Sequence, residues 1–506
     1  MKSLIKIKAA VFLLFVIAGI LQACKKDPGN YDYKTLNEAV VEGLDTLYIV
    51  DQGEILSIEP KISYLKDQIG DTSNYTYSWL MIRRNGFESG IPELKSSTPK
   101  FNVRMTDDLG LYEYALRVTD RKTEVWKEFY FKILISNKTY EGWFVLSEVN
   151  GNQSRLDMLS YKENTGKYEH LTNVFDTYKS DFTLKGAPSF VSFFTGTTGV
   201  PILNGIKEAL VVGTSEMATF LGPDQLEQRP EYDFSIFSEN GQNVAIGQNA
   251  RMEGLKNKVY LWANGRAYSQ STSGVFEIGR MGSAAAPSFE SSPFIAYTPQ
   301  GNAVLFNETA SEFVWYPGGY SKYSLRMENE RLFKNKIDKN LLFMKYVNYN
   351  GGEIFAILKD KTGDKVYLAR FTLGEQNYFA EIKNTPIAQA EHFEVSDDFG
   401  YVIYNVGNKV YEYDFNLNLN KEVADYGQRK ISLLKFQYIN TGYLGVINQR
   451  YVALNKQLVV CSYDDSNLNS SGVMDLYTVP GINANLIKTD SFTGFGKIVS
   501  LTYRWR

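Results

Sequence analysis

Cysteine is nearly absent: the 506 residues hold only Cys24 and Cys461. Two cysteines cannot build a disulfide framework, so the fold must rest on buried apolar surface. Cys461 stands in the strand-like run Leu458-Val459-Val460-Cys461-Ser462-Tyr463 and reads as a small buried hydrophobe rather than a reactive thiol. Histidine is equally scarce, with only His170 and His392. A histidine-rich zinc site cannot be assembled from these two without carboxylates. Nucleophilic catalysis has at most two candidate bases, and neither lies in a catalytic motif. Gly-x-Ser-x-Gly does not occur, which removes the nucleophile elbow. The tripeptide Asp398-Phe399-Gly400 has no phosphate-binding glycine loop beside it and carries no kinase meaning. No cofactor is expected. With a net charge of −3 and no long basic stretch, the chain is not expected to bind nucleic acid.

What is abundant is aromatic: 35 Tyr and 31 Phe, against only 14 Pro. With frequent Gly and Asn and little sustained helical periodicity, this composition implies many short strands and tight turns, an all-β protein. The length exceeds what one core usually serves, so two domains or one large β-fold are expected. At the start, Lys2, Lys6 and Lys8 precede an apolar run from Ala9 to Leu21 and then Leu21-Gln22-Ala23-Cys24. A charged region, a dozen apolar residues and a small residue describe a secretory signal peptide over residues 1–23. An uncleaved anchor would need about 18 or more apolar residues. With Cys24 directly after Ala23, the segment resembles a bacterial lipoprotein signal. That resemblance implies lipidation of Cys24 and attachment to a membrane without spanning it.

Residues 24–37 read as a polar tether, with Pro28-Gly29 opposing regular structure. A first domain is expected over residues 38–137. Tyr75 to Ile82 alternates as a strand does, Asn85-Gly86 offers a hairpin turn, and Gly110-Leu111-Tyr112-Glu113-Tyr114-Ala115-Leu116-Arg117-Val118-Thr119-Asp120 alternates again. The Asn30-Tyr31-Asp32-Tyr33 run, Tyr77-Ser78-Trp79 and the Gly110–Asp120 strand together resemble PKD-like lipoproteins of Sus-type nutrient-uptake loci. The resemblance implies an immunoglobulin-like sandwich with Trp79, Leu116 and Val118 in its core.

From residue 138 to 506 a self-similar period of roughly 50 residues suggests a β-propeller of about seven blades. One unit reads Phe294–Thr298, Ala303–Asn307, Glu312–Tyr316 and a fourth strand from Tyr320 to Leu325. Another reads His392–Ser396, Tyr401–Tyr404, Lys409–Tyr413 and a closing strand near Leu419 to Tyr426, with Asp397-Asp398-Phe399-Gly400 as its first turn. Lys-Val-Tyr recurs at Lys258, Lys365 and Lys409 and is expected to mark third strands. The final run, Lys497 to Tyr503, is expected to pair near Gly142 to Leu146 and close the ring. Trp143, Trp262, Trp315 and Trp505 are expected in blade packing.

Asp464 to Gly472 carries oxygen ligands but lacks the spacing of a calcium loop, so it reads as a polar inter-strand loop. Propeller ligands commonly lie on the face formed by loops between blades and between second and third strands. Arg280, His392, Asp464 and Asp465 fall on or near such loops and are the candidate ligand contacts. The family resemblance implies a non-catalytic outer-membrane surface lipoprotein that serves a SusC/SusD-type uptake system. Its partners would be the transporter, its substrate-binding lipoprotein and an oligosaccharide or peptide. Two alternatives are a surface glycoside hydrolase or lyase, for which paired carboxylates would be diagnostic, and an adhesin.

Overall fold

A computed structural model describes residues 37–66, 72–84, 91–178, 180, 182–195, 208–229, 251–255, 258–271, 274–319, 321–443 and 446–506. The signal segment, Cys24, the tether up to residue 36 and the Asn85-Gly86 turn lie outside these residues. The chain divides into two compact units, the first ending at Ile135 and the second running from Ser136 to Arg506.

The first unit is a β-sandwich. A five-stranded sheet orders Leu47–Asp51, Trp126–Ser136, Gly110–Asp120, Tyr75–Arg84 and Glu93–Ser96. Two strand pairs complete it: Ala39–Glu42 with Lys61–Tyr64, and Ile55–Ile58 with Phe101–Arg104. Alternation drives the long strand inward: Tyr112, Tyr114, Leu116 and Val118 are all buried. Trp79 pairs with Leu116 across the sheet, is fully buried, and packs edge-on to Phe131 at 5.7 Å between ring centres. Its indole N–H donates to the carbonyl of Thr98 at 2.8 Å, so the largest core side chain leaves no unpaired donor. Truncating such a residue to alanine costs about 3–5 kcal/mol.

Among the described residues the second unit contains seven successive antiparallel sheets of three or four strands, and a two-stranded pair, Gly442–Tyr443 with Val446–Ile447, inserted in the seventh. Blade 1 is built from Lys497–Arg504, Gly142–Val149, Gln153–Lys162 and Lys167–Leu171. Blade 2 shows three strands, Pro188–Thr195, Glu208–Thr214 and Ala218–Leu221. Blade 3 holds Arg251–Leu255, Lys258–Ala263, Arg266–Ser271 and Gly274–Glu277. Blade 4 holds Ala296–Tyr297, Ala303–Asn307, Glu312–Tyr316 and Leu325–Arg326. Blades 5 and 6 begin at Lys339–Val347 and His392–Val395, and blade 7 at Lys430–Phe436. In sequence order, the rest of blade 6 is Val402–Val406, Lys409–Asp414 and Leu419–Asp425, and that of blade 7 is Gln457–Tyr463, Gly472–Thr478 and Ile487–Phe495.

Two expectations need correction. Lys258-Val259-Tyr260 opens the second strand of blade 3, not the third. The outer strand of blade 4 shrinks to Leu325–Arg326, whose backbone pairs only with Val314 and Trp315. The turn in blade 6 forms where its sequence demands it: Gly400 has φ +70°, and a Cβ there would crowd Phe415 and Tyr349.

Each junction between neighbouring sheets has its own apolar cluster, as a propeller requires. Phe144 and Met158 of blade 1 meet Val191 and Leu210 of blade 2. Tyr260 of blade 3 meets Leu305 of blade 4. Trp143 and Tyr503 of blade 1 meet Cys461 and Met474 of blade 7, and this cluster closes the circle. The last strand lies antiparallel to Gly142–Val149, from Gly142 opposite Arg504 to Glu148 opposite Lys497, so the expected closure is present. Ile498, Leu501 and Tyr503 on that strand are fully buried.

The closure is also locked by charge. Arg504 is fully buried, donates to the carbonyls of Thr139 and Pro223, and pairs with Glu208 and Asp224. Arg506 reaches the same Glu208 at 2.7 Å and lies over the Tyr140 ring. A helix inserted in blade 7, Gln449–Asn455, is capped by the Asn448 side chain and carries Arg450. Arg450 pairs with Glu141 and donates to the Tyr503 hydroxyl at 2.5 Å.

Candidate functional site

Within each blade the first strand runs antiparallel to the second. The starts of the first strands, the links between blades and the loops joining second to third strands therefore share one face of the ring. All four sequence candidates lie on it: His392 at the start of a first strand, Asp464 and Asp465 in a loop joining a second strand to a third, and Arg280 in a link between blades.

His392 opens the first strand of blade 6, and its backbone N–H donates to Asn405 Oδ1 at 3.0 Å. Burial lowers the pKa of its ring. The cations Arg251 and Lys497 push the same way, against Glu391 and a backbone hydrogen bond at Ile431. At neutral pH the ring is uncharged and offers one donor and one acceptor. Next to Ile431, Lys430 forms an ion pair with Asp465. Asp464 caps a short turn: its Oδ1 accepts from the backbone N–H of Ser466 at 2.9 Å and from the Ser466 hydroxyl at 2.8 Å, which lowers its pKa. Arg280 lies on the same face, in the link between blades 3 and 4. It is held by Glu277 at 2.9 Å and by the carbonyl of Ala286 at 3.0 Å, and it orders that link.

The loop from Asp464 to Ser471 clamps blade 7 to blade 1. Asn469 Oδ1 accepts from the backbone of Asn150 at 2.6 Å, and Asn469 Nδ2 donates to Asn150 Oδ1 at 2.7 Å. Among the described residues no group of three His, Cys, Asp or Glu is placed to hold a metal. No helix among them is long and apolar enough to cross a membrane.

Beside this clamp lies a groove of about 680 Å³ between blades 1 and 2, within the size range of ligand pockets. Phe175, Phe182 and Leu184 give it apolar walls, and Arg155, Lys185 and Glu216 give it charge. Arg155 is fixed at its base: two of its nitrogens reach Asp157, the closer at 2.7 Å, and it also donates to the carbonyls of Asn469 at 3.0 Å and Gly494 at 2.9 Å. Asp157 is fully buried and also accepts the backbone N–H of Asn173 at 2.8 Å. A buried carboxylate needs this number of donors to offset its lost hydration. Reading for loops alone missed the groove. The available signal was Asp157 itself, a charge set between Leu156 and Met158 in the middle of an apolar strand.

Residues 24–185 match the PKD-like family, a match that covers less than half of the chain and runs past the sandwich into blade 1. No curated protein matches the chain. Among solved structures, a quinonprotein alcohol dehydrogenase-like protein from Bacteroides thetaiotaomicron is similar at 12% identity, with 90% of this chain and 96% of that chain covered and a TM-score of 0.38. A protein from Lactobacillus plantarum is similar at 9% identity, covering 72% and 100% of the two chains, with a TM-score of 0.42. PorZ, a surface component of the type-IX secretion system of Porphyromonas gingivalis, is similar at 11% identity over 70% of this chain and 48% of its own, with a TM-score of 0.36.

Proposed function

We propose that the chain is a lipid-anchored outer-membrane protein that captures an oligosaccharide or peptide at the cell surface without transforming it, as an accessory of a SusC/SusD-type uptake pair. The observation that carries this reading is the groove between blades 1 and 2, with apolar walls beside Arg155, whose guanidinium is already held by Asp157. Groups fixed in this way orient a ligand, whereas proton transfer asks for a group whose pKa is poised near the working pH and within reach of the reacting atom. The order of the chain supports the rest: a lipobox at Cys24, a polar spacer, a sandwich, then a propeller.

Fractionation tests the anchor. Cys24→Ala should move the protein from the membrane pellet to the soluble fraction, and retention through a carbonate wash would remove the lipid from the proposal. For the ligand, the soluble protein should bind oligosaccharides or oligopeptides saturably and return them intact. Turnover that disappears when one Asp or Glu on the strand-start face becomes its amide would favour the hydrolase.

A further inference from the structure

The sandwich carries a cavity of its own, about 300 Å³, at the end where its first strand begins. Two of its lining side chains, Tyr64 and Tyr75, are stacked with ring centres 3.5 Å apart and planes 7° from parallel. Trp126 also lines it and is 53% exposed, one of two large aromatics, with Tyr130, that its strand leaves in water. The Arg117 guanidinium lies 4.6 Å from the Trp126 ring centre, and Arg117 is itself held by Glu128 at 2.7 Å. The indole is therefore braced from one side. Polar groups complete the lining: Glu38 paired with Lys127 at 3.0 Å, and Asp120, whose Oδ1 is set by the backbone N–H of Lys122 at 2.7 Å.

We infer that this cavity is a second binding site, which takes a ring of a neutral oligosaccharide. The inference rests on the capture reading above and names the sugar class as its ligand. A pyranose ring offers a flat C–H face and a rim of hydroxyls. An exposed, braced indole matches the first, and carboxylates with an ammonium match the second. Glu38, Asp120 and Lys127 sum to one negative charge, which opposes uronates and sulfated sugars. The volume lies at the small end of ligand pockets, which suits one ring at a chain end or branch.

The test uses the full chain made soluble by Cys24→Ala, with maltohexaose and cellohexaose as probes and hexaalanine as the peptide control, followed by calorimetry and tryptophan fluorescence. At least one hexasaccharide should bind and hexaalanine should not. Trp126→Ala should weaken binding tenfold or more, Trp126→Tyr should keep most of it, and Glu38→Gln should cost a few-fold. Trp126 is half exposed, so an unchanged unfolding midpoint will show that these variants fold. Unchanged saccharide affinity in Trp126→Ala overturns the site. If Arg155→Ala in the propeller groove then abolishes binding, capture stands without the sandwich. Failure of both hexasaccharides, with binding of hexaalanine, overturns the sugar assignment and leaves peptide capture by the propeller.

Discussion

Lys345 donates to Glu394 Oε1 at 2.8 Å, and the other oxygen of Glu394 accepts the backbone N–H of Phe436 at 3.0 Å. One carboxylate thus ties the first strands of blades 5, 6 and 7. The collar continues around the ring. Lys435 donates to the carbonyl of Leu501, and the backbone N–H groups of Val191 and Phe193 donate to Ser500 and Thr502. Ser192 donates to the carbonyl of Met252, Arg251 lies over Phe294, and Phe294 packs edge-on to Phe343.

Removing the centre of that collar should be felt by three blades. Glu394→Ala is expected to destabilise the propeller by about 1–3 kcal/mol, because the buried N–H of Phe436 loses its acceptor. Glu394→Gln keeps an acceptor there and should cost less. Urea unfolding of both variants measures the difference.

Glu412 makes stability fall as pH rises. It is buried on the third strand of blade 6, and neither carboxyl oxygen has a hydrogen-bond partner. Burial, reinforced by Asp414 and opposed by Lys421, raises its pKa to about 7. The folded state therefore holds this proton more tightly than the unfolded chain, whose carboxyl titrates near 4.5. Between those two values the folded state binds more protons, so stability declines with increasing pH and levels off above 7. The loss across that window is on the order of 3 kcal/mol. Glu412→Gln should flatten the profile of unfolding free energy between pH 5 and 8, whatever its effect at a single pH. A slope that persists in the variant would assign the dependence elsewhere.

Cys461 is expected to be inert in the native protein. It is fully buried in the cluster that joins blades 7 and 1, and burial pushes its thiol pKa well above the usual range. A maleimide reagent should label it only after denaturation. Rapid labelling of folded protein would mean that the closing junction opens.

Truncation at Lys497 removes the first strand of blade 1 together with Ile498, Leu501 and Tyr503. The two flanking clusters, toward blade 2 and blade 7, would then face solvent. Calorimetry should show the second unit losing its cooperative transition, not a small shift in midpoint.

Much of this architecture could be read from alternation alone. Trp79, Leu116 and Val118 lie in the sandwich core because period-two patterning assigns a face regardless of tertiary detail. Blade 6 was legible strand by strand because its turns carry Gly400 and Asn416-Leu417-Asn418 at the needed positions. Lys258-Val259-Tyr260 misled because strand rank within a sheet is a tertiary property that a tripeptide does not encode. The site was legible only in part. Asp464 and Asp465 belong to a recognisable loop, but the groove is made by residues from two blades with unrelated sequences. Its buried ion pair shows as no motif, only as a charge where an apolar residue would be expected.

The strands that close the ring are far apart along the chain, with Glu148 and Lys497 separated by 349 positions. Joining them demands a loop-closure entropy that no local contact offsets, so the ring must assemble late and slowly for its size. The same geometry works in reverse after closure. Blade 1 cannot fray from either end of the second unit, because each end is hydrogen-bonded to the other and anchored by Arg504. Opening then requires the simultaneous loss of a strand and two apolar junctions, a high barrier that makes the persistence of the folded ring a matter of rate rather than of equilibrium.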